Sequence, residues 1–280
     1  MKALERLGIR VPVIQAGMGG GLSRHELAAA VSEAGGLGTI AVNGATAIER
    51  ELRAARALTG GPIAVNILLP FARRDWFEAA AGADAVVTFW GRPRRRTGGV
   101  WVHQCGSVGE ARAAHAAGAN ALIVQGVEAG GHVRGRDPAL ELLTRTRAAL
   151  PSDYPLLLAG GIAERADVER ALEAGAVAAV AGTRFLLSEE SRAHPEYKRR
   201  LLDADETILT ELFGLGWPAP HRVVPNAATE RGSKEPLPPL AATDDGPAEL
   251  VDDGPLYSGK TVARIDELRP AAEIVGDLTP

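Results

Sequence analysis

Eight short aliphatic runs recur along the chain at near-regular intervals, and any fold must accommodate that rhythm first. They are VPVIQAGM (11–18), GTIAV (38–42), IAVNILL (63–69), AVVTFW (85–90), VWVHQC (100–105), ALIVQG (121–126), PLLLAGG (155–161) and AVAAVAG (176–182). Alanine-rich amphipathic segments lie between most of them. Ser23 with Glu26, and Ser107 with Glu110, give the S-x-x-E pattern of a helix capping box. Continuous apolar strands separated by helices imply a parallel sheet buried on both faces. The segments VSEAGGLGTI, FEAAAGADAVV, HAAGANALIV and LEAGAVAAVAG repeat one grammar of helix end, glycine and strand. Glycine there suits the left-handed residue that closes a helix. Eight such units favour an α/β fold of the (β/α)8 TIM-barrel type, with an open doubly wound sheet as the alternative.

Two places break the rhythm. Only GRPRRRTGG separates Trp90 from Val100, too short and too broken by proline and glycine for a standard helix, so the crossover after strand 4 is expected to be reduced. Beyond residue 185 the alternation stops. A helix is expected over roughly 195–213, followed by a Pro- and Gly-rich extended arm (217–259) and a closing strand or helix in TVARIDELRPAAEIV. The expected organisation is a barrel core over 1–190 and a helix plus arm over 191–280, packed on the barrel as one domain.

Hydrophobic residues make up 46% of the chain and aromatics only 4%, so the core is aliphatic. A net charge of -4 argues against nucleic acid as the partner. The basic run Arg92–Arg96 is short and reads as a solvated loop. The single cysteine, Cys105, forbids an intrachain disulfide and suits a cytoplasmic protein. MKALERLGIRVPVI lacks the apolar stretch of a signal peptide, and no run approaches a membrane span.

In a parallel barrel, the strand C-termini and the loops that follow them build the active site. Here they carry glycines and amides: Gln15 to Gly21, Asn66, Gln104, Gln125, the loop Glu128–His132, Gly160–Gly161 and Gly182–Thr183. Glycines after the seventh and eighth strands let main-chain N–H groups approach an anion such as phosphate. Asn66, Gln104 and Gln125 offer donors and acceptors to a flat heterocycle. The six histidines show no metal-ligand spacing, and no metal site is expected. His25 and His115 fall on helices, His103 reads as a packing residue, and Cys105 as a buried small residue rather than a nucleophile. His132, on the glycine loop of VQGVEAGGHVRG, is the candidate for chemistry.

These residues carry a resemblance. VPVIQAGMGGG, VNILLP, IVQGVEAGGHVRG, LLLAGGI and VAGTRFLLSEES, in this order, resemble the nitronate monooxygenase (2-nitropropane dioxygenase) family, which includes FMN-dependent enoyl-acyl-carrier-protein reductases. The closing PLYSGKTVARIDELRPAAEIV is similar to that family's tail. The resemblance implies an FMN-binding barrel with cofactor contacts at Ala16, Met18, Asn66, Gln125, Gly130, Gly161, Gly182 and Thr183, the last three holding the phosphate. It implies His132 as the catalytic residue beside the flavin, acting near its ordinary pKa of about 6.5. The implied activity is oxidation of alkyl nitronates or nitroalkanes with dioxygen. The alternatives are an NAD(P)H-dependent flavin enoyl-thioester reductase and a non-catalytic flavin-binding accessory protein. A homodimer is compatible with the long arm. The chain departs from the family's pattern in AGMGGG, which lacks a proline before the methionine, in the short crossover, and in the short segment beyond residue 187.

Overall fold

The computed structural model describes residues 7–217 and 219–280. The first six residues of MKALERLGIRVPVI, and Pro218 of the Pro/Gly-rich arm, lie outside the described residues. Eight parallel strands form one sheet: β1 (Val13–Gln15), β2 (Gly38–Ile40), β3 (Ile63–Leu68), β4 (Ala85–Phe89), β5 (Val100–Cys105), β6 (Ala121–Gln125), β8 (Leu156–Ala159) and β9 (Ala178–Ala181). Their order is β1-β9-β8-β6-β5-β4-β3-β2. The ends meet: Ile14 bridges Leu37, Gln15 N donates to Leu37 O at 3.0 Å, and Leu37 N donates to Val13 O at 3.1 Å. The sheet is therefore a closed (β/α)8 barrel, and the open-sheet alternative is excluded.

The uninterrupted apolar runs follow from burial on both strand faces. Ile14, Ala64, Val87, Val102, Ile123, Leu157 and Val180 fill the interior. Val13, Trp101, Leu122, Leu156 and Ala179 face outward against the surrounding helices. Those helices are α1 (His25–Glu33), α2 (Ala45–Leu58), α3 (Arg74–Ala79), α4 (Val108–Ala116), α5 (Ala139–Ala149), α6 (Arg165–Glu173) and the short α7 (Thr183–Leu186). Left-handed glycines close α1, α4 and α6 at Gly35, Gly118 and Gly175, with φ of 105°, 86° and 95°. The same role expected of Gly82 is not seen, because that residue lies in a 3₁₀ turn, Ala80–Gly82.

Of the two expected capping boxes, one forms by half, because the Glu110 carboxylate reaches Gly106 N instead of the N–H of Ser107 itself. Ser107 Oγ accepts from Glu110 N at 3.2 Å, and Glu110 accepts from Gly106 N at 2.9 Å. Ser23 does not cap α1, which starts one residue later with Arg24 at its N-cap. The Ser23 hydroxyl instead accepts from Met18 N at 3.0 Å and so fixes the first glycine loop.

No helix connects β4 to β5, as the short GRPRRRTGG predicts. Trp90 opens this connection with φ +61°, rare for a bulky residue. Beyond the barrel, α8 (Pro195–Leu202) ends well before residue 213. The rest of the expected helix becomes β10 (Ile208–Thr210), where pairing with β11 (His221–Val224) outweighs local helix propensity. β11 also pairs with β12 (Leu256–Tyr257) and with β7 (Gly131–His132), making a small antiparallel sheet over the barrel mouth. Two short helices, α9 (Ala227–Arg231) and α10 (Leu250–Asp253), interrupt the extended arm. The chain closes with α11 (Ala271–Leu278), whose Ile274, Val275 and Leu278 join the outer core.

Candidate active site

Parallel strands end on the same side, so the expected site residues share one mouth, and close approaches link them. Ala16 N donates to Ala181 O at 2.9 Å. A Cβ built on Gly182 would stand 3.7 Å from that of Ala16. A Cβ on Gly17 would collide with Asn66 Cβ at 2.4 Å, so the first loop lies directly on β3. Asn66 is 8% exposed, and its amide makes no hydrogen bond among the described residues. Met18 spends its N–H on Ser23, while its side chain packs into both the helix-side core and the tail cluster.

One flank of the mouth is made of main chain. Gly160 and Gly161 follow β8 with φ of 105° and 80°, a conformation that L side chains rarely adopt. Among the described residues, the N–H groups of Gly161, Gly182 and Thr183 find no backbone acceptor. The tail supports this flank. Arg264 donates to Gly161 O at 3.3 Å, to Asp167 Oδ2 at 2.7 Å and to Glu164 Oε1 at 2.5 Å. Asp167 in turn accepts from Ala163 N at 2.8 Å and Glu164 N at 3.1 Å. Thr183 Oγ1 accepts from Gly259 N at 2.8 Å, so its hydroxyl belongs to the tail.

Gly130 also serves the tail. A Cβ there would meet Ser258 C and Gly259 N at 2.5 Å. The missing side chain makes room for the backbone of the tail.

The other flank is made of rings. Gln125 is buried, and its amide holds the histidine loop: Nε2 donates to His132 O at 3.0 Å, and Oε1 accepts from Arg134 N at 2.8 Å. The expected heterocycle contact is thus largely committed to bracing His132. Across the small sheet, His132 stands in register with His221. The His132 imidazole stacks on Trp217, with centroids 3.6 Å apart and planes 15° from parallel. Trp90 meets Trp217 edge-on at 5.2 Å, Phe71 meets it at 5.6 Å, and Tyr257 lies 5.7 Å from His132. Arg134 lies 4.8 Å over Trp90 and forms an ion pair with Glu110. In a chain with only four Trp, three Tyr and five Phe, this is a marked concentration.

His132 is part-exposed as a residue, but its Nε2 is shut from solvent and has no partner. Burial, and secondarily the nearby His221, push its pKa down to about 3. The ring is therefore neutral near pH 7, where the sequence had suggested titration close to neutrality. His221 is fully buried. Its Nε2 accepts from Phe213 N at 3.1 Å, and its Nδ1 lies 2.9 Å from Ala219 O, which assigns Nδ1 the proton.

The remaining candidates fall away. His103 shares a hydrogen bond of 2.8 Å with Thr88, and burial lowers its pKa to about 4, as a packing histidine requires. Burial pushes the Cys105 thiol up to about 12, making it a poor nucleophile. His25 is no bystander, because its Nδ1 lies 2.6 Å from the buried Glu51. Burial alone would raise the Glu51 pKa, but hydrogen bonds from His25 and Arg50 outweigh it and lower the value. A separation of 2.6 Å marks a hydrogen bond, since ligands of one ion at about 2.0–2.2 Å stand farther apart.

The family model for nitronate monooxygenase matches residues 2–88 and 92–280. The chain belongs to the nitronate monooxygenase family. The match pauses only around Trp90, where the crossover helix is missing. The chain is 35% identical to a nitronate monooxygenase of Pseudomonas aeruginosa, over 70% of this chain and 71% of the relative. It is 34% identical to a (3aS,4S,5R,7aS)-5-hydroxy-7a-methyl-1-oxo-octahydro-1H-indene-4-carboxyl-CoA dehydrogenase of Mycobacterium tuberculosis, over 81% of this chain and 66% of that protein. Among solved structures, FabK from Thermotoga maritima superposes with a TM-score of 0.86 at 27% identity, covering 99% of this chain and 94% of that one. A nitroalkane oxidase from Streptomyces ansochromogenes gives 0.84 at 31% identity, covering 99% and 96%. Membership makes the chain an oxidoreductase. No described helix is long and apolar enough to cross a membrane.

Trp217, His221 and Arg264 escaped the sequence reading. They lie in the tail, far along the chain from the motifs they serve. The one available signal was a tryptophan set in the Gly/Pro-rich stretch GLGWPAP, an unusual place for a large apolar ring unless it packs on something.

Proposed function

We propose that this chain is an FMN-dependent oxidoreductase of the nitronate monooxygenase type, oxidising alkyl nitronates with dioxygen. The observation that carries the reading is the His132 Nε2, buried and unpartnered at the barrel mouth, opposite a flank of main-chain donors. FMN fits these residues. The free N–H groups of Gly161, Gly182 and Thr183 would hold the phosphate. Asn66, with its uncommitted amide, would meet the ring system together with Ala16 and Met18, while Gln125, whose amide braces the histidine loop, and Gly130, packed on Ser258 and Gly259, would stand behind them. When bound, FMN supplies a two-electron acceptor that dioxygen can reoxidise.

The chain's own contribution centres on His132. As a neutral imidazole it can accept a proton at Nε2. Its depressed pKa of about 3 makes it a weak base before a ligand arrives. An anionic oxygen placed beside it would favour the protonated form and raise that pKa. This order of events suits a substrate that arrives as an anion, a nitronate, better than a neutral nitroalkane that must first lose a carbon-bound proton. Trp217 covers one face of the imidazole, and Trp90 meets it edge-on.

The likeness to FabK supports a second reading, an NAD(P)H-dependent reductase of enoyl thioesters. Two measurements separate the possibilities. The purified protein is expected to be yellow and to release FMN on denaturation; a colourless protein that takes up no FMN overturns the cofactor assignment. Under anaerobic conditions a nitronate is expected to bleach the flavin. Rapid bleaching by NADPH with none by a nitronate overturns the monooxygenase reading in favour of the reductase.

A further inference from the structure

Trp217 holds an unsatisfied hydrogen-bond donor on the ring that stacks against His132. Its side chain is 6% exposed, and its Nε1 is buried with no acceptor among the described residues. An indole N–H can only donate, so nothing but a lone pair can satisfy it. Leaving such a donor buried and unpaired is unfavourable, and the ring is nonetheless held firmly. It stacks on His132 at 3.6 Å and is flanked edge-on by Trp90 and Phe71. The segment that bears it is clasped at both ends by one side chain, His221, which bonds Phe213 N on one side and Ala219 O on the other. Trp217 N also closes a turn onto Gly214 O at 2.9 Å. A donor fixed in this way beside a reactive imidazole is preorganised for an oxygen that the protein itself does not supply.

We propose that Trp217 is a substrate-contacting residue: its indole N–H donates to an oxygen of the flat, oxygen-bearing acid group that approaches His132. The inference rests on the nitronate reading for the substrate's identity, but not for the recognition chemistry, which is that of a small planar oxyanion. Because the indole is stacked and walled by two further rings, it also limits how much bulk can accompany that group. Two cations flank this cluster and both are engaged, Arg134 with Glu110 and the face of Trp90 and Arg222 with Val127 O, so the oxygen is met by a neutral donor.

The test uses the flavin-loaded enzyme and nitrite, the smallest flat ion bearing the two oxygens of a nitro group. Trp217→Phe keeps a ring on His132 and removes the donor; Trp217→Ala removes both. Flavin per chain checks that each variant is folded and loaded. The phenylalanine variant is expected to keep its flavin, to bind nitrite about tenfold more weakly as followed by the flavin absorbance, and to raise KM for a small nitronate in step. The alanine variant is expected in addition to lose discrimination between small and bulky nitronates. Unchanged nitrite affinity and KM in Trp217→Phe overturn the proposal, as does a loss confined to flavin affinity. Should the wild-type protein turn over no nitronate yet bind nitrite in a Trp217-dependent way, the oxyanion contact stands and the nitronate reading falls.

Discussion

On the β8–β9 side of the barrel mouth, the groups offered to a ligand are main-chain N–H groups. On the β6 side they are side-chain rings. The first flank is short-range in the chain: Gly160–Gly161 and Gly182–Thr183 each sit directly after a strand, and the tail contributes only buttresses, Arg264 and Gly259. The second is long-range throughout: His132 from one loop, Trp90 from another, Trp217 and His221 from the tail. Backbone donors suit a constant requirement, an anion in a fixed place. Rings drawn from separate segments can be exchanged one at a time, which suits a variable requirement such as substrate shape.

The sharpest way to break this division is at His132. His132→Gln is expected to lower kcat/KM for a nitronate by roughly 10²–10⁴ while flavin content stays at the wild-type level; loss of flavin together with activity would show that the two flanks are not separable. The converse change is Gly161→Val. At φ +80° a β-branched residue is strained, and the variant is expected to lose flavin by more than tenfold in affinity, with kcat of the loaded fraction little altered. Arg264→Ala tests the buttress. Its ion pairs are partly solvent-screened, so on the order of 1 kcal/mol of stability and a several-fold weaker flavin affinity are expected, with no change in substrate KM.

The last comparison concerns pH. His132 is held near 3 and His103 near 4 by burial, against about 6.5 in an unfolded chain. Between these values the unfolded state binds protons that the folded state refuses. Stability is therefore full above about pH 6.5 and declines as the pH falls toward 4. The melting temperature of His132→Gln is expected to fall less steeply across that window than that of the wild type; equal slopes would show that the buried ring is not the group responsible.

How much of this was legible in the sequence follows the same division. The eight strands and the absent fourth crossover could be read because each is announced by its own residues. The glycine motifs and His132 could be read because they sit at strand ends. The helix expected over 195–213 was misjudged past Leu202 because Ile208–Thr210 takes its conformation from β11, and no local pattern encodes a distant partner. Ser23 looked like a cap but serves Met18. Gly130 was legible as a place of close approach, but not that Ser258 and Gly259 are what approach it. In each case the residue type was informative, and the identity of its neighbour was not.

The pairing of β7 with β11 also sets an order of events during synthesis. All eight barrel strands, the last ending at Ala181, leave the ribosome before His221 does. A nascent chain can therefore close its barrel while Gly131–His132 still lacks its partner strand. The reactive centre is assembled last, from the far end of the chain backward. A chain that ended before His221 would leave His132 without its partner strand, and would also lack α11 in the outer core and the Arg264 brace on Gly161.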